Sequence, residues 1–171
     1  RVRRLIIIPV MLPYLTSLMV RTYAWMVLLG REGLINEALP VIGLGPFKLM
    51  NNSFGVYVGM VHVLLPLMIL PLVSAMSNID RRLVRAAHSL GAPPWMAFFR
   101  VFLPLSLPGV IAGTSLVFIV ALGFFVTPAL LGGLENTTIS MVIEQQVGVA
   151  LNWGFAAALG VVLLLATMVA L

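Results

Sequence analysis

The 171-residue sequence contains no cysteine, which excludes disulfides, thiol chemistry and thiolate metal sites. Charge is also scarce, because only 9% of the residues are charged and five of them are acidic. The phosphate-binding motif G-x-x-x-x-G-K-[ST] is absent, as are the catalytic motifs H-E-x-x-H and G-x-S-x-G. We therefore expect no enzyme active site, no resident metal ion and no cofactor in this chain.

Apolar residues make up 61% of the sequence, and its mean hydropathy of +1.14 is far above that of an ordinary soluble domain. A helix of roughly 20 apolar residues crosses the hydrocarbon core of a bilayer. Four stretches meet this requirement, at residues 5–29, 54–76, 105–126 and 153–171. The sequence therefore predicts an all-α fold, a polytopic transmembrane helical bundle forming a single domain over residues 1–171. Because the chain begins without methionine and ends inside an apolar run, we expect a piece of a longer protein.

The basic residues are distributed unevenly around the predicted spans. If the connection 77–104 lies in the cytoplasm, that side holds seven of the ten cations: Arg1, Arg3, Arg4, Arg81, Arg82, Arg85 and Arg100. The connections on the opposite side hold only Arg31 and Lys48. This division follows the positive-inside rule. It also explains the sequence pI of about 10.8 without a nucleic-acid partner, since the cations flank spans and form no continuous stripe.

The connection 77–104 contains a predicted amphipathic helix that ends at a sharp corner. Ser77 and Asp80 fit a capping box, which predicts that the helix begins at Ser77. Gly91 predicts a left-handed C-cap, and Pro93 and Pro94 cannot continue the same helix, so the chain turns there. Basic residues occupy one face of the helix, and another face is apolar, with Ile79, Leu83, Ala86, Ala87 and Leu90.

Three interpretations of this helix follow from the pattern alone. The helix could lie flat among lipid headgroups, as basic amphipathic helices do, or it could be a plain solvated connection. Alternatively, its small residues and its basic face could dock into a groove on a soluble partner.

The segment "RAAHSLGAPPWMAFFRVFLP", residues 85–104, resembles the signature loop of the inner-membrane permease subunits of ABC importers. The pattern of that loop is E-A-A-x3-G-x9-I-x-L-P. The matching positions in this chain are Ala86, Ala87, Gly91, Val101, Leu103 and Pro104, with valine replacing isoleucine. Arg85 departs from the pattern, because it stands where the family has glutamate and reverses the charge at that position.

The resemblance implies that the four stretches are the last four spans of a six-span core in the inner membrane of a bacterium. It also implies a coupling helix at about residues 86–94, which sits in a cleft of a cytoplasmic ATPase. The residues that the resemblance assigns to this coupling are Arg85, Ala86, Ala87, His88, Gly91, Ala92, Pro93 and Pro94. The other implied partners are a second permease subunit, homologous or identical, an extracytoplasmic substrate-binding protein and membrane lipid.

Two polar residues within the predicted spans are candidates for the substrate pathway. Arg21 is unfavourable in hydrocarbon, but about 24 Å of helix before it would place it near the outer interface. There it could snorkel or bond to a structural partner. His62 could line the pathway, although we expect a hydrogen bond to a neighbouring helix.

Two G-x-x-x-G pairs occur in the second and third predicted spans, at Gly55 and Gly59 and at Gly109 and Gly113. Such pairs let two helix backbones approach closely, and we expect them to pack inside the bundle. Farther along, "TPALLGG" predicts a turn, and the apolar spacing over residues 139–147 predicts a short helix at the outer membrane surface.

The segments "FFVTPALLGG" and "VRTYAWMVLLGREGLIN" look most like permeases for spermidine and putrescine. This resemblance implies a polyamine or a related small organic solute as substrate, with selectivity resting largely on the binding protein. Four of the five acids lie on the predicted outer side, which suits electrostatic steering of a polycation; they are Glu32, Glu37, Glu135 and Glu144.

Two other classes of protein compete with the permease interpretation. A structural or regulatory membrane subunit would use the basic helix to hold anionic lipid or a signalling partner. An intramembrane enzyme would need polar groups that meet at one depth, and His62 alone does not supply them. A bulky residue at Ala87 or Gly91 should disturb a docking helix with every charge retained, whereas a lipid-binding helix should depend on its arginines.

Overall fold

The computed structural model describes residues 15–43, 45 and 47–169 of the chain. These residues form helices and loops, and no β-strand occurs among them, as the all-α prediction requires. The cations Arg1, Arg3 and Arg4 and the first part of the predicted span 5–29 lie outside the described residues.

Eight α-helices follow one another along the described chain. They are α1 (Leu18–Leu29), α2 (Leu34–Ala38), α3 (Ser53–Ser77), α4 (Arg81–Ser89), α5 (Pro94–Leu122), α6 (Val126–Leu131), α7 (Ile139–Gly148) and α8 (Trp153–Val169). One turn of α5, Phe98–Phe102, is π-helical. Short 3-10 turns occur at Leu39–Ile42 and Leu134–Asn136.

Two of the described helices are long and apolar enough to cross a membrane, α3 with 25 residues and α5 with 29. The mean hydropathy of their most apolar windows is 2.2 and 2.1, yet only 28% and 17% of these windows is buried inside the chain. Apolar surface exposed over such lengths is unfavourable in water, which indicates that lipid or other apolar helices surround it. α8 is also apolar but shorter, with 17 residues.

The helix bounds refine the predicted spans. α3 agrees with the predicted span 54–76 to within one residue at each end. α5 is longer than the predicted span 105–126, because it begins well before that span, at Pro94. Its C-terminal end, at Leu122, comes slightly before the predicted one. Proline is favoured in the first turn of a helix, where its missing N–H group has no partner to lose, so Pro94 starts α5 as well as ending the corner.

Contacts divide the chain into two compact units, of which the smaller comprises residues 67–118. The larger unit contains the described residues on either side of that segment, and its core surrounds α6. Thr22, Leu29, Thr127 and Leu131 are all at most 2% exposed there. Gly59 makes room for this packing, because a Cβ atom at its position would lie 2.5 Å from Leu131 Cδ1.

The smaller unit packs the second half of α3 against α5. A Cβ atom at Gly109 would lie 2.4 Å from the Cβ of Ala75, and one at Gly113 would lie 2.7 Å from the Sδ of Met68. Only glycine permits backbones to approach this closely. The predicted close packing of the second G-x-x-x-G pair is therefore confirmed, as it is for Gly59 in the larger unit.

Candidate functional site

The helix α4 begins at Arg81, and Asp80 is its N-cap. The Asp80 carboxylate accepts a hydrogen bond from the backbone N–H of Arg82, with a distance of 2.8 Å from Oδ1 to N. The predicted capping box that begins at Ser77 is wrong. Ser77 is the last residue of α3, and its hydroxyl donates back to the Ser74 carbonyl at 2.9 Å, so it is not available to cap the next helix.

The C-terminal end of α4 forms a Schellman motif around Gly91. The N–H of Ala92 donates to the Ala87 carbonyl at 3.0 Å, and the N–H of Gly91 donates to the His88 carbonyl at 3.0 Å. Gly91 has a φ of +85°, which confirms the predicted left-handed conformation. Pro93 is extended, and Pro94 begins α5 directly after it. Both ends of α4 and the corner after it are therefore fixed by local interactions.

The His88 imidazole strengthens this corner. Its Nδ1 atom lies 3.0 Å from the carbonyl oxygen of Ala92, which can only accept, so Nδ1 carries the proton that it donates. The contact joins the last turn of α4 to the residue before Pro93. Among the predicted coupling residues, His88 therefore contributes to the shape of the corner.

The surface of α4 is open along most of its length, since none of its residues is buried. Arg81, Arg82 and Arg85 lie exposed on one face. Leu83 and Leu90, which are 48% and 88% exposed, lie on another face. The exposed Ala86 stands between these two leucines. The helix thus presents an uncovered apolar stripe, Leu83, Ala86 and Leu90, beside a basic face, Arg81, Arg82 and Arg85.

An open pocket of about 340 Å³ lies at the corner, between the end of α4 and the start of α5. Its lining residues are Ala87, Leu90, Gly91, Ala92, Pro93, Met96, Ala97, Arg100 and Val101. Four of the predicted coupling residues share this pocket, namely Ala87, Gly91, Ala92 and Pro93. Arg85, Ala86, His88 and Pro94 do not line it, and the first two face outward on the exposed surface of α4.

The π-helical turn in α5 was not anticipated from the sequence. The N–H of Leu103 donates to the carbonyl of Phe98, five residues earlier. The ring of Phe98 stacks on that of Phe102 with centroids 5.7 Å apart and contacts the edge of Phe99 at 5.2 Å. Pro104 is the signal that could have indicated this turn, because its nitrogen has no proton to give to the Arg100 carbonyl four residues earlier.

In the larger unit, His62 bonds to a neighbouring helix. The indole Nε1–H of Trp25 in α1 donates to Nδ1 of His62 in α3 at 2.7 Å, and the two rings meet edge to face with centroids 5.6 Å apart. The hydrogen bond to a neighbouring helix that we expected for His62 is therefore present, and a role of His62 in the pathway stays a prediction. Trp25 was missed, although an indole N–H in an apolar stretch requires an acceptor.

Arg21 lies in α1, next to the fully buried Thr22, and is itself half-buried. The Thr22 hydroxyl donates to the Leu18 carbonyl at 2.9 Å and lies 3.4 Å from the hydroxyl of Thr127 in α6. The Thr22–Thr127 contact thus joins α1 to α6, and the Trp25–His62 bond joins α1 to α3.

A second polar region of the larger unit is a cavity of about 910 Å³ beside α6 and α7. Its polar lining residues are Lys48, Asn51, Asn52, Ser53, Glu135, Asn136, Thr137, Glu144 and Gln145. The amide of Asn136 holds one wall by donating to the Ser53 hydroxyl at 2.7 Å. The short helix predicted over residues 139–147 is confirmed as α7, whose N-cap Thr138 accepts from the Met141 N–H at 3.3 Å.

The sequence of the whole chain, residues 1–171, matches the family described as binding-protein-dependent transport system inner membrane component. The spermidine/putrescine transport system permease protein PotB of Haemophilus influenzae is 40% identical over 171 residues, which cover 98% of this chain and 60% of that protein. PotB of Escherichia coli is 36% identical over 165 residues, covering 95% of this chain and 60% of that protein. The chain thus spans 60% of the length of these relatives.

The fold is similar to that of one chain in the crystal structure of a bacterial ABC transporter involved in the import of the acidic polysaccharide alginate. The TM-score is 0.73, and the similar region covers 98% of this chain and 62% of that chain. The sequence identity is 18%, so this similarity bears on the fold alone.

Proposed function

Because this chain belongs to the family of binding-protein-dependent transport system inner membrane components, we propose that it is part of a permease subunit of an ABC importer. In this role it sits in the bacterial inner membrane with several spans, and its helices form part of a substrate pathway. The connection 77–104 couples the pathway to a cytoplasmic ATPase.

The uncovered apolar stripe of α4 carries this proposal. Leu83, Ala86 and Leu90 lie exposed on a helix that buries none of its own residues, which is unfavourable unless another surface covers the stripe. The small side chain of Ala86 allows a partner to approach the helix backbone. Since the caps and the corner at Gly91 hold α4 in a fixed shape, a partner that binds it can transmit force to α5.

The energy for transport would come from the bound ATPase. The chain has no phosphate-binding loop, so nucleotide chemistry belongs to another subunit. Two ATPase subunits that close on nucleotide would draw together the α4 helices of two permease subunits. The rigid helices would then convert this motion into alternating access of the pathway. A second permease subunit and an extracytoplasmic binding protein complete the proposed assembly.

A polyamine, or a related cationic solute, is the proposed substrate. The names of the PotB relatives support this class, as does the presence of Glu135 and Glu144 in the larger polar cavity. Their carboxylates can pair with ammonium groups, and amide oxygens of Asn51 and Asn52 could accept further hydrogen bonds.

Co-purification of the full-length permease with its ATPase tests the proposed coupling. Ala86→Trp places a large ring in the apolar stripe without affecting any buried contact, and it should abolish co-purification while membrane insertion is retained. Ala150→Trp is the matched control, because Ala150 is also exposed but lies after α7. Full ATPase binding by Ala86→Trp would contradict the docking role of α4.

Uptake of spermidine into proteoliposomes, driven by ATP and a loaded binding protein, tests the proposed substrate class. We expect uptake by the natural protein and none by Ala86→Trp. ATP-driven uptake of an anionic solute with no spermidine uptake would replace the polyamine assignment and leave the coupling role intact.

A further inference from the structure

The cations of α4 occupy the end of the helix where they are least favourable. Arg81 and Arg82 are its first two residues, and Arg85 follows one turn later. The N-terminus of a helix carries a partial positive charge, which disfavours cations. Arg85 also lies three and four residues from the other two arginines, a spacing at which like charges repel. The basic face therefore destabilises the isolated helix.

The chain itself offers little to offset this charge. Asp80 uses its carboxylate to cap the N–H of Arg82, and no other acidic residue occurs between Glu37 and Glu135. Among residues 15–43, 45 and 47–169, no carboxylate forms an ion pair with the side chain of Arg81, Arg82 or Arg85. Local features that oppose the fold in this way are expected where function requires them.

An anionic partner surface would relieve this repulsion among the arginines, and the apolar side of α4 indicates which kind of partner. Helices that lie in a lipid interface bury large side chains such as tryptophan, phenylalanine and leucine. On this side of α4 the large side chains are those of Leu83 and Leu90, the half-buried Ala87 and the exposed Ala86 occupy the middle, and no residue of α4 is aromatic. Because the short alanine side chains let a partner come close to the helix backbone, this side suits a protein groove better than the acyl chains of a bilayer.

We propose that the groove that receives α4 is lined by carboxylates, which pair with the guanidinium groups of Arg82 and Arg85. This inference rests on the proposed docking function and specifies the chemistry of the partner's surface. Arginine presents a planar fork that binds carboxylates in a bidentate manner, so the pairing would orient α4 as well as attract it. Arg85 then determines which ATPase this subunit accepts.

The affinity of the ATPase for the full-length permease in nanodiscs of phosphatidylcholine tests the inference. Arg82→Glu and Arg85→Glu should each raise the dissociation constant by about tenfold or more, since each brings a carboxylate against the carboxylates of the groove. Arg31→Glu is the matched control, because Arg31 is exposed but lies in a connection outside α4, and it should bind normally. Raising NaCl from 50 to 500 mM should weaken the natural complex more than the complex of the double variant.

A second experiment identifies the carboxylates of the ATPase that pair with these arginines. Lysine in place of the groove carboxylates of the ATPase, one at a time, should restore binding to Arg85→Glu for at least one position. If Arg85→Glu binds as tightly as the natural protein or more tightly, the acidic groove is ruled out, while loss of binding by Ala86→Trp would still support docking. If Ala86→Trp also binds normally, the proposed function fails with it.

The lipid interpretation has its own outcome. If the two reversals leave the ATPase affinity unchanged but reduce the number of phosphatidylglycerol molecules retained in native mass spectrometry, the basic face binds lipid headgroups. That result would overturn the proposed carboxylate groove.

Discussion

Two short helices of this chain are stabilised in different ways. α6 lies in the core of the larger unit, where Thr127, Pro128 and Leu131 are fully buried. α4 has no buried residue, but Asp80 caps one end and the Schellman motif at Gly91 closes the other. Isolated helices of this length are marginal, so each needs support beyond intrinsic propensity. α6 obtains it from tertiary contacts and α4 from its caps.

This difference separates stability from partner binding. Substitutions beneath α6 should change the free energy of unfolding, because they alter close packing. Substitutions in α4 and its caps should change the order of that helix and its affinity for a partner, with little effect on unfolding of the rest of the chain. Each of the following variants tests whether the two helices differ in this way.

The largest effect is expected from Gly59→Ala, which intrudes on α6. Its Cβ atom would lie 2.5 Å from Leu131 Cδ1 and 2.6 Å from Thr127 Cγ2, and both of these side chains are fully buried. We expect a loss of roughly 1–3 kcal/mol in the free energy of unfolding, measured by denaturant titration in detergent.

The matched control for that variant is Gly160→Ala in α8, where a Cβ atom would meet nothing within 4 Å. Because alanine favours helices more than glycine does, this change should be neutral or stabilising by up to about 1 kcal/mol. Equal stabilities of the two variants would contradict the packing described for α6.

The next effect in size is expected from Gly91→Ala. A Cβ atom at this position would meet nothing within 4 Å, so the cost of the substitution comes from the φ of +85° alone. Holding an L-residue in this left-handed conformation costs about 1–2 kcal/mol of free energy. Amide hydrogen exchange in α4 should become faster and ATPase affinity should fall, whereas the unfolding midpoint stays the same. Gly45→Ala serves as control, since its Cβ also meets nothing and its backbone is not left-handed. A change confined to the unfolding midpoint would argue against a purely local role.

A smaller effect is expected at the other end of α4. Asp80→Ala removes the acceptor for the Arg82 N–H and should cost about 1 kcal/mol of helix stability, visible as faster exchange of the first-turn amides. Asp80→Asn keeps an acceptor and should exchange almost as the natural protein does. If both variants exchange alike, the carboxylate does not act as a cap.

The smallest effect is expected from the bond between Trp25 and His62. A double-mutant cycle of Trp25→Phe and His62→Phe should give a coupling of about 0.6 kcal/mol, the usual size for hydrogen bonds between membrane helices. The readout is again the free energy of unfolding, and additive effects of the two changes would show that the bond contributes nothing.

Features that depend on local sequence could be predicted. The length and hydropathy of α3 placed its ends to within one residue, and Gly91 followed by two prolines indicated both a left-handed cap and a corner. In these places the physical cause is contained within a few neighbouring residues. The same holds for α7, whose apolar spacing was sufficient.

Features that depend on distant contacts could not be predicted. α6 was expected as part of a turn because of Pro128 and the following glycines, and its burial depends on Gly59 and Thr22, far away in sequence. Trp25 and His62 are 37 positions apart, and no periodic pattern connects them. The cap of α4 was assigned to Ser77 because the sequence does not show that α3 continues to this residue.

The π-helical turn at Phe98–Phe102 amounts to one residue more than an α-helix of the same length would contain. Removing a single residue there would restore regular α-helical winding. The first turn of α5, which precedes the π-helical turn, would then rotate by about 100° around the axis of α5 and shift by about 1.5 Å along it, together with the attached corner and α4. Since α4 is attached at that end, the number of residues in this turn determines the direction in which the apolar stripe of α4 faces around the axis of α5. Deletion of one residue from this turn would thus redirect α4 without altering any of its residues.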